Sequence, residues 1–120
     1  MSGPERVSVR LAFDTDGVLA SAKAEGHAGK TLPGYNVACA AVTVLLRTAY
    51  EAAASYDGVA VSGQAPSPGS LSFEIGRYPP AAAERLKGVG DFLLIGLSGV
   101  EREYPGIVEL ERSFQKPDGF

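Results

Sequence analysis

The chain of 120 residues carries one cysteine, Cys39, and one histidine, His27, and together they could perform a chemistry open to no other pair here. A thiolate attacks a carbonyl carbon, and an imidazole within hydrogen-bond reach takes up and returns the proton. His27 precedes Cys39 by twelve positions, across Gly26 to Gly34, a stretch with three glycines and a proline that suits neither helix nor strand. Such a loop is able to bring the two side chains together. Both residues also have structural readings. Free cysteine is among the most buried residue types, and alanines flank Cys39. A lone histidine near a strand end is more often a surface or capping residue than a base. Composition alone does not choose between these.

The elements that would have to position the pair are legible in the periodicity. Val7, Val9, Leu11 and Phe13 alternate with smaller or polar residues, the period of a half-buried strand. Asp14 to Gly17 reads as a turn, leading to a second strand from about Val18 to Glu25. There Ala20, Ala22 and Ala24 should face one way, Ser21, Lys23 and Glu25 the other, and His27 falls on the polar side by parity. Val37 to about Ala54 is long and alanine-rich enough for a first helix, with Cys39 in its first turn. There the positive end of the macrodipole should lower the thiol pKa. This helix is apolar almost all the way round, so it should be either wrapped by its own domain or buried against a second subunit, and a dimer is expected.

Gly58 to Gln64 and Leu71 to Ile75 read as a second pair of strands around Pro66 to Gly69. After Pro79-Pro80, apolar residues at three- and four-residue steps predict a second helix to about Tyr104, weakened by Gly88, Gly90, Gly96 and Gly99. Val108, Leu110 and Phe114 suggest a last strand. The order ββαββαβ implies an α+β two-layer sandwich, one mostly antiparallel sheet with two helices. A single domain over 1–114 and a frayed tail at 115–120 are expected.

Acidic residues outnumber basic ones 14 to 11, and a net charge of −3 argues against direct binding of nucleic acid. No secretory signal opens the chain, and no window of about 18 apolar residues is expected to span a membrane, which points to the cytoplasm. A lone thiol fits that compartment and cannot form an internal disulfide. With one Cys and one His, neither a structural zinc nor any other metal or cofactor is expected. Asp14 and Asp16 imitate a fragment of a calcium loop, but the turn explains them.

Gly26-His27-Ala28-Gly29, followed by Asn36-Val37-Ala38-Cys39-Ala40-Ala41-Val42 entering a helix, resembles the paired signature of the bacterial ribosomal-processing cysteine proteases. In that family Gly-His-Ala precedes Asp-x-x-Cys-Ala-Ala. The resemblance implies a homodimeric cysteine endopeptidase that removes an N-terminal extension from a large-subunit ribosomal protein, number twenty-seven in the usual series. It makes Cys39 the nucleophile and His27 the base and then the acid. Backbone N–H groups around Ala38 to Ala40 would face the developing oxyanion, and the loop from Ala28 to Tyr35, with Gly29 and Gly34, would close over a peptide.

One position departs from the pattern. Asn36 stands where the family has aspartate, and it offers a hydrogen bond without a charge. Asn36 either orients His27 or caps the helix. The departure keeps a second reading open, a non-catalytic homodimeric module that holds a ribosomal protein tail without cutting it.

Overall fold

The computed structural model describes residues 6–26, 35–67 and 70–114, with backbone only for Tyr35 and for 65–67. Strands β1 (Val7–Phe13) and β2 (Leu19–Glu25) form a hairpin, α1 (Tyr35–Ala54) follows, and β3 (Val61–Ser67) and β4 (Ser70–Ile75) form a second hairpin. A short 3-10 turn at Pro80–Ala82 opens α2 (Ala83–Glu103), and β5 (Val108–Phe114) closes the described chain. The five strands make one sheet in the order β3-β4-β2-β1-β5. All neighbours are antiparallel except β1 and β5, which run parallel. This is the expected α+β architecture. The tail at 115–120 lies outside the described residues.

Alternation dictates which face of the sheet is buried. Val7, Val9, Leu11 and Phe13 of β1, with Ala22, Ala24, Phe73 and Ile75, form a core with Val42, Leu46 and Ala53 of α1 and Leu86, Leu93 and Leu97 of α2. The other face is polar, crossed by the Arg6–Glu109 and Arg10–Glu111 ion pairs at 2.8 and 3.1 Å. Both pairs are exposed, so each adds little stability.

The parity expected for β2 fails at its start. Ala12 pairs with Ser21 and Phe13 with Leu19, so Ala20 is an extra residue at a β-bulge. The bulge turns Leu19 inward, where it is fully buried alongside Ala22. In the preceding turn, Asp14 Oδ1 accepts hydrogen bonds from the N–H groups of Asp16 and Val18 at 2.8 and 2.9 Å, and Gly17 adopts φ of 82°. Tyr78, 64 positions away, donates its hydroxyl to Asp14 Oδ2 at 2.7 Å and ties the β4–α2 connection to this turn.

Glycine in α2 serves its packing. A Cβ on Gly90 would lie 3.2 Å from the Phe13 ring and 3.4 Å from Leu19 Cβ, and one on Gly96 would lie 2.8 Å from Leu45 of α1. These two positions let α2 lie close to the β1–β2 bulge and to α1. Among the described residues, α1 from Asn36 to Ala54 is long and apolar enough by length and composition to cross a membrane. That corrects the sequence expectation. In this fold, Ala38, Val42, Leu46, Ala49 and Ala53 commit one stripe of α1 to the core.

Candidate active site

Strand directions place the start of α1. β2 and β3 are both antiparallel to β4, so they run the same way. A connection of residues 55–60 returns the chain from α1 to β3, and Tyr50 packs over Gly63 and edge-on to Phe73 at 5.9 Å. The helix therefore runs against β2 and β3. Its first turn lies at the end of the sheet where β2 finishes at Glu25, next to Gly26. His27, Ala28, Gly29 and Gly34 lie outside the described residues. What the fold establishes is that the chain enters and leaves that segment at one end of the sheet.

Cys39 is a half-buried free thiol packed against the core. Its carbonyl accepts a hydrogen bond from the Thr43 hydroxyl at 2.9 Å, a local contact one turn along the helix. Because α1 starts at Tyr35 and not at Val37, Cys39 is the fifth helical residue and lies beyond the first turn. The N–H groups of Cys39 and Ala40 are thus engaged in the helical ladder, and the free donors belong to the residues ahead of them. That corrects the placement of oxyanion donors around Ala38 to Ala40.

Two other positions shift for the same reason. Tyr35, expected in the loop, is the first residue of α1, and Asn36, expected before the first turn, is the second. Asn36 is exposed and three residues ahead of Cys39, so the two are neighbours on one side of the helix.

Hollows flank the sheet at more than one place among the described residues. One of about 600 Å³, lined by Ala20, Ser21, Glu74 and Phe114 among others, lies at the end where β2 begins. The opposite end is that of Cys39. A smaller one of about 240 Å³ lies between α1 and the β3–β4 hairpin, lined by Leu46, Tyr50, Gly63, Leu71 and Phe73 among others. Sequence reasoning missed it, because its walls come from elements whose adjacency no local pattern announces. Among the described residues, no three His, Cys, Asp or Glu side chains converge in a way that would hold a metal ion.

The comparisons with known proteins agree with this arrangement. A search of curated protein sequences finds no match. Among solved structures, SMU.848 of Streptococcus mutans superposes with a TM-score of 0.76 at 21% identity, over 92% of this chain and 96% of that one. The essential ribosomal processing protease Prp of S. aureus, in complex with a substrate peptide, superposes at 0.73 with 15% identity, over 88% of this chain and 98% of that one. The same protease with a covalently linked product peptide gives 0.69 at 16% identity, with coverage of 88% and 98%. These likenesses establish a shared fold. The sequence profile of the family described as Cysteine protease Prp matches residues 7–109, both hairpins and both helices included, so the chain belongs to the Prp family and is a cysteine protease.

Proposed function

We propose that this protein is an endopeptidase acting in ribosome maturation, which removes the N-terminal extension of the large-subunit ribosomal protein numbered twenty-seven. The observation that carries the reading is the family match over 7–109, combined with a half-buried thiol near the start of α1, at the end of the sheet where β2 hands the chain on toward His27. The S. aureus relative is a ribosomal processing protease solved with substrate and product peptides, which supports a peptide substrate of the same kind here.

In this reading the Cys39 thiolate attacks the scissile carbonyl carbon, forming a C–S bond, and the electron pair moves onto oxygen. The unpaired N–H groups of the first turn of α1 stabilise that oxyanion. His27, as imidazolium, protonates the departing amine as the C–N bond breaks. It then takes a proton from water, which hydrolyses the thioester and frees the thiol. Asn36 orients the imidazole, and the segment from Ala28 to Tyr35 closes over the peptide.

The enzyme acts as a homodimer in the cytoplasm. Val37 and Val44 of α1 and Phe92 and Ile95 of α2 are all more than half exposed, an apolar outer surface of the kind that protein–protein contacts cover.

The decisive experiment incubates the protein, and separately Cys39→Ala, with a peptide spanning the N-terminus of the host's own ribosomal protein twenty-seven, and reads masses. Cleavage at one bond by the parent and none by Cys39→Ala is the expected result. An intact peptide with both proteins overturns the reading. If that peptide is bound nonetheless, the non-catalytic module takes its place.

A further inference from the structure

The hollow between α1 and the second hairpin lies on the same flank of α1 as the thiol. At 100° per residue, Leu46 and Tyr50 fall within about 20° of Cys39 around the helix axis, and they lie about 10 and 16 Å further along it. The same flank of α1 therefore carries the thiol at one end and the walls of the hollow at the other. The opposite flank is occupied by α2, through Leu45 against Gly96. On the thiol's flank the neighbour is β3, the edge strand of the sheet, and among the described residues no strand or helix lies beyond it.

The hollow is built to be apolar at its base. Leu46 and Phe73 are 0% and 2% exposed, and half-buried Tyr50 and Leu71 form its sides. Gly63 belongs to the same construction. A Cβ there would lie 2.9 Å from Tyr50 Cε1, so any other residue would push the ring from its place beside Phe73. The volume of about 240 Å³ is smaller than the roughly 300–1,000 Å³ of clefts that take whole small ligands, and it suits one large side chain. The charges nearest it, Arg47 and Glu51, are of opposite sign and favour neither an anion nor a cation.

We infer that this hollow is a specificity subsite, which takes one large aliphatic or aromatic side chain of the substrate peptide three to five residues from the bond that is cut. The inference rests on the reading of Cys39 as the nucleophile. The interval follows from the distance along α1, since an extended chain advances about 3.3 Å per residue. Only a peptide lying along the helix flank meets both the thiol and the hollow, and the separation fixes which of its residues is read.

The test separates this inference from the protease reading by using binding as well as cutting. A synthetic library of twelve-residue peptides is passed over immobilised Cys39→Ala, which leaves peptides whole, and over the same protein carrying Leu71→Lys or Tyr50→Ala in addition. Retained peptides are sequenced by mass spectrometry, and the thermal midpoint of each variant confirms that it is folded. The expected result is enrichment of Leu, Ile, Phe or Tyr at one position of about tenfold or more, lost in both added variants. In peptides cut by the parent, that position should lie three to five residues from the cut. Enrichment that survives both substitutions overturns the subsite, and so does the absence of any apolar preference, even where the parent cuts efficiently. A parent that cuts nothing, with the apolar enrichment intact and dependent on Leu71 and Tyr50, overturns the protease reading and leaves the subsite as a peptide-binding one.

Discussion

Replacing Gly88 or Gly90 of α2 by alanine should move stability in opposite directions, although the substitutions are identical and two positions apart. In a helix interior alanine is favoured over glycine by about 0.8–1.0 kcal/mol, chiefly because it has less backbone freedom to lose. Gly88 is exposed, and a Cβ there meets nothing within 4 Å, so Gly88→Ala should collect the whole gain. For a chain of 120 residues that corresponds to about 4 °C in the thermal midpoint. At Gly90 the new carbon would lie 3.2 Å from the Phe13 ring and 3.4 Å from Leu19 Cβ. Neither neighbour yields easily. Phe13 is 5% exposed and stacks on Phe114 at 5.1 Å, and Leu19 is fully buried at the bulge. Overpacking of this kind costs about 1–3 kcal/mol, which cancels the propensity gain and leaves Gly90→Ala neutral to about 2 kcal/mol destabilised. Urea unfolding of the three proteins, followed by circular dichroism, measures both effects. Equal stabilisation by the two substitutions would refute the argument, since α2 would then have to stand further from the hairpin than the structure places it.

The turn between β1 and β2 should give the protein a defined pH range. Burial pushes the Asp14 carboxyl up, but hydrogen bonds from Tyr78, Val18 and Asp16 outweigh it and hold its pKa below the usual carboxylate value. The stability that Asp14 contributes is therefore present above the unfolded carboxylate pKa of about 4 and fades as pH falls through the lower folded value. The hydrogen bond to Asp14 raises Tyr78 to about 12 from 10.0, so its contribution is complete below pH 10 and fades as pH rises through 12. Tyr78→Phe should cost about 1 kcal/mol and flatten both limbs of an unfolding-versus-pH curve. An unchanged curve would count against the contact. The first turn of α1 holds no acidic residue, so Asn36→Asp should stabilise the protein by about 0.5 kcal/mol through the macrodipole. It should also raise the rate of peptide cleavage if Asn36 orients His27, and a stabilised variant with unchanged turnover would restrict this position to a structural role. Ile95 is 72% exposed on the outer surface of α2, and light scattering should show a dimer of the 12.4 kDa chain that Ile95→Glu converts to monomers. A parent monomeric at micromolar concentration would refute the dimer.

Local information sufficed for most of the architecture. The alternation Val7, Val9, Leu11, Phe13 specifies a strand with one buried face, Asp14 to Gly17 has the residues a tight turn needs, and the alanine-rich run ending at Ala54 has no reason to be anything but a helix. Gly-His-Ala and the Cys39 segment together were enough to resemble one family's paired signature, and the profile match over 7–109 bears out that family. The two-residue error at the beginning of α1 moved Cys39 out of the first turn, because Asn36, a favoured capping residue type, suggests a boundary later than the one the helix has.

What the sequence leaves open depends on contacts between segments far apart in the chain. The bulge at Ala20 arises from how β2 registers against β1, and it reverses the inward residue at Leu19. Gly90 and Gly96 read locally as helix weaknesses, and only the approach of α2 to Leu19 and Leu45 shows why a side chain is absent there. Tyr78 finds Asp14 across 64 positions. The hollow between α1 and the second hairpin needs α1, β3 and β4 to be neighbours. Periodicity along a chain records which face of an element is apolar, whereas the partner of that face is set by the order and direction of strands, which tertiary packing alone decides.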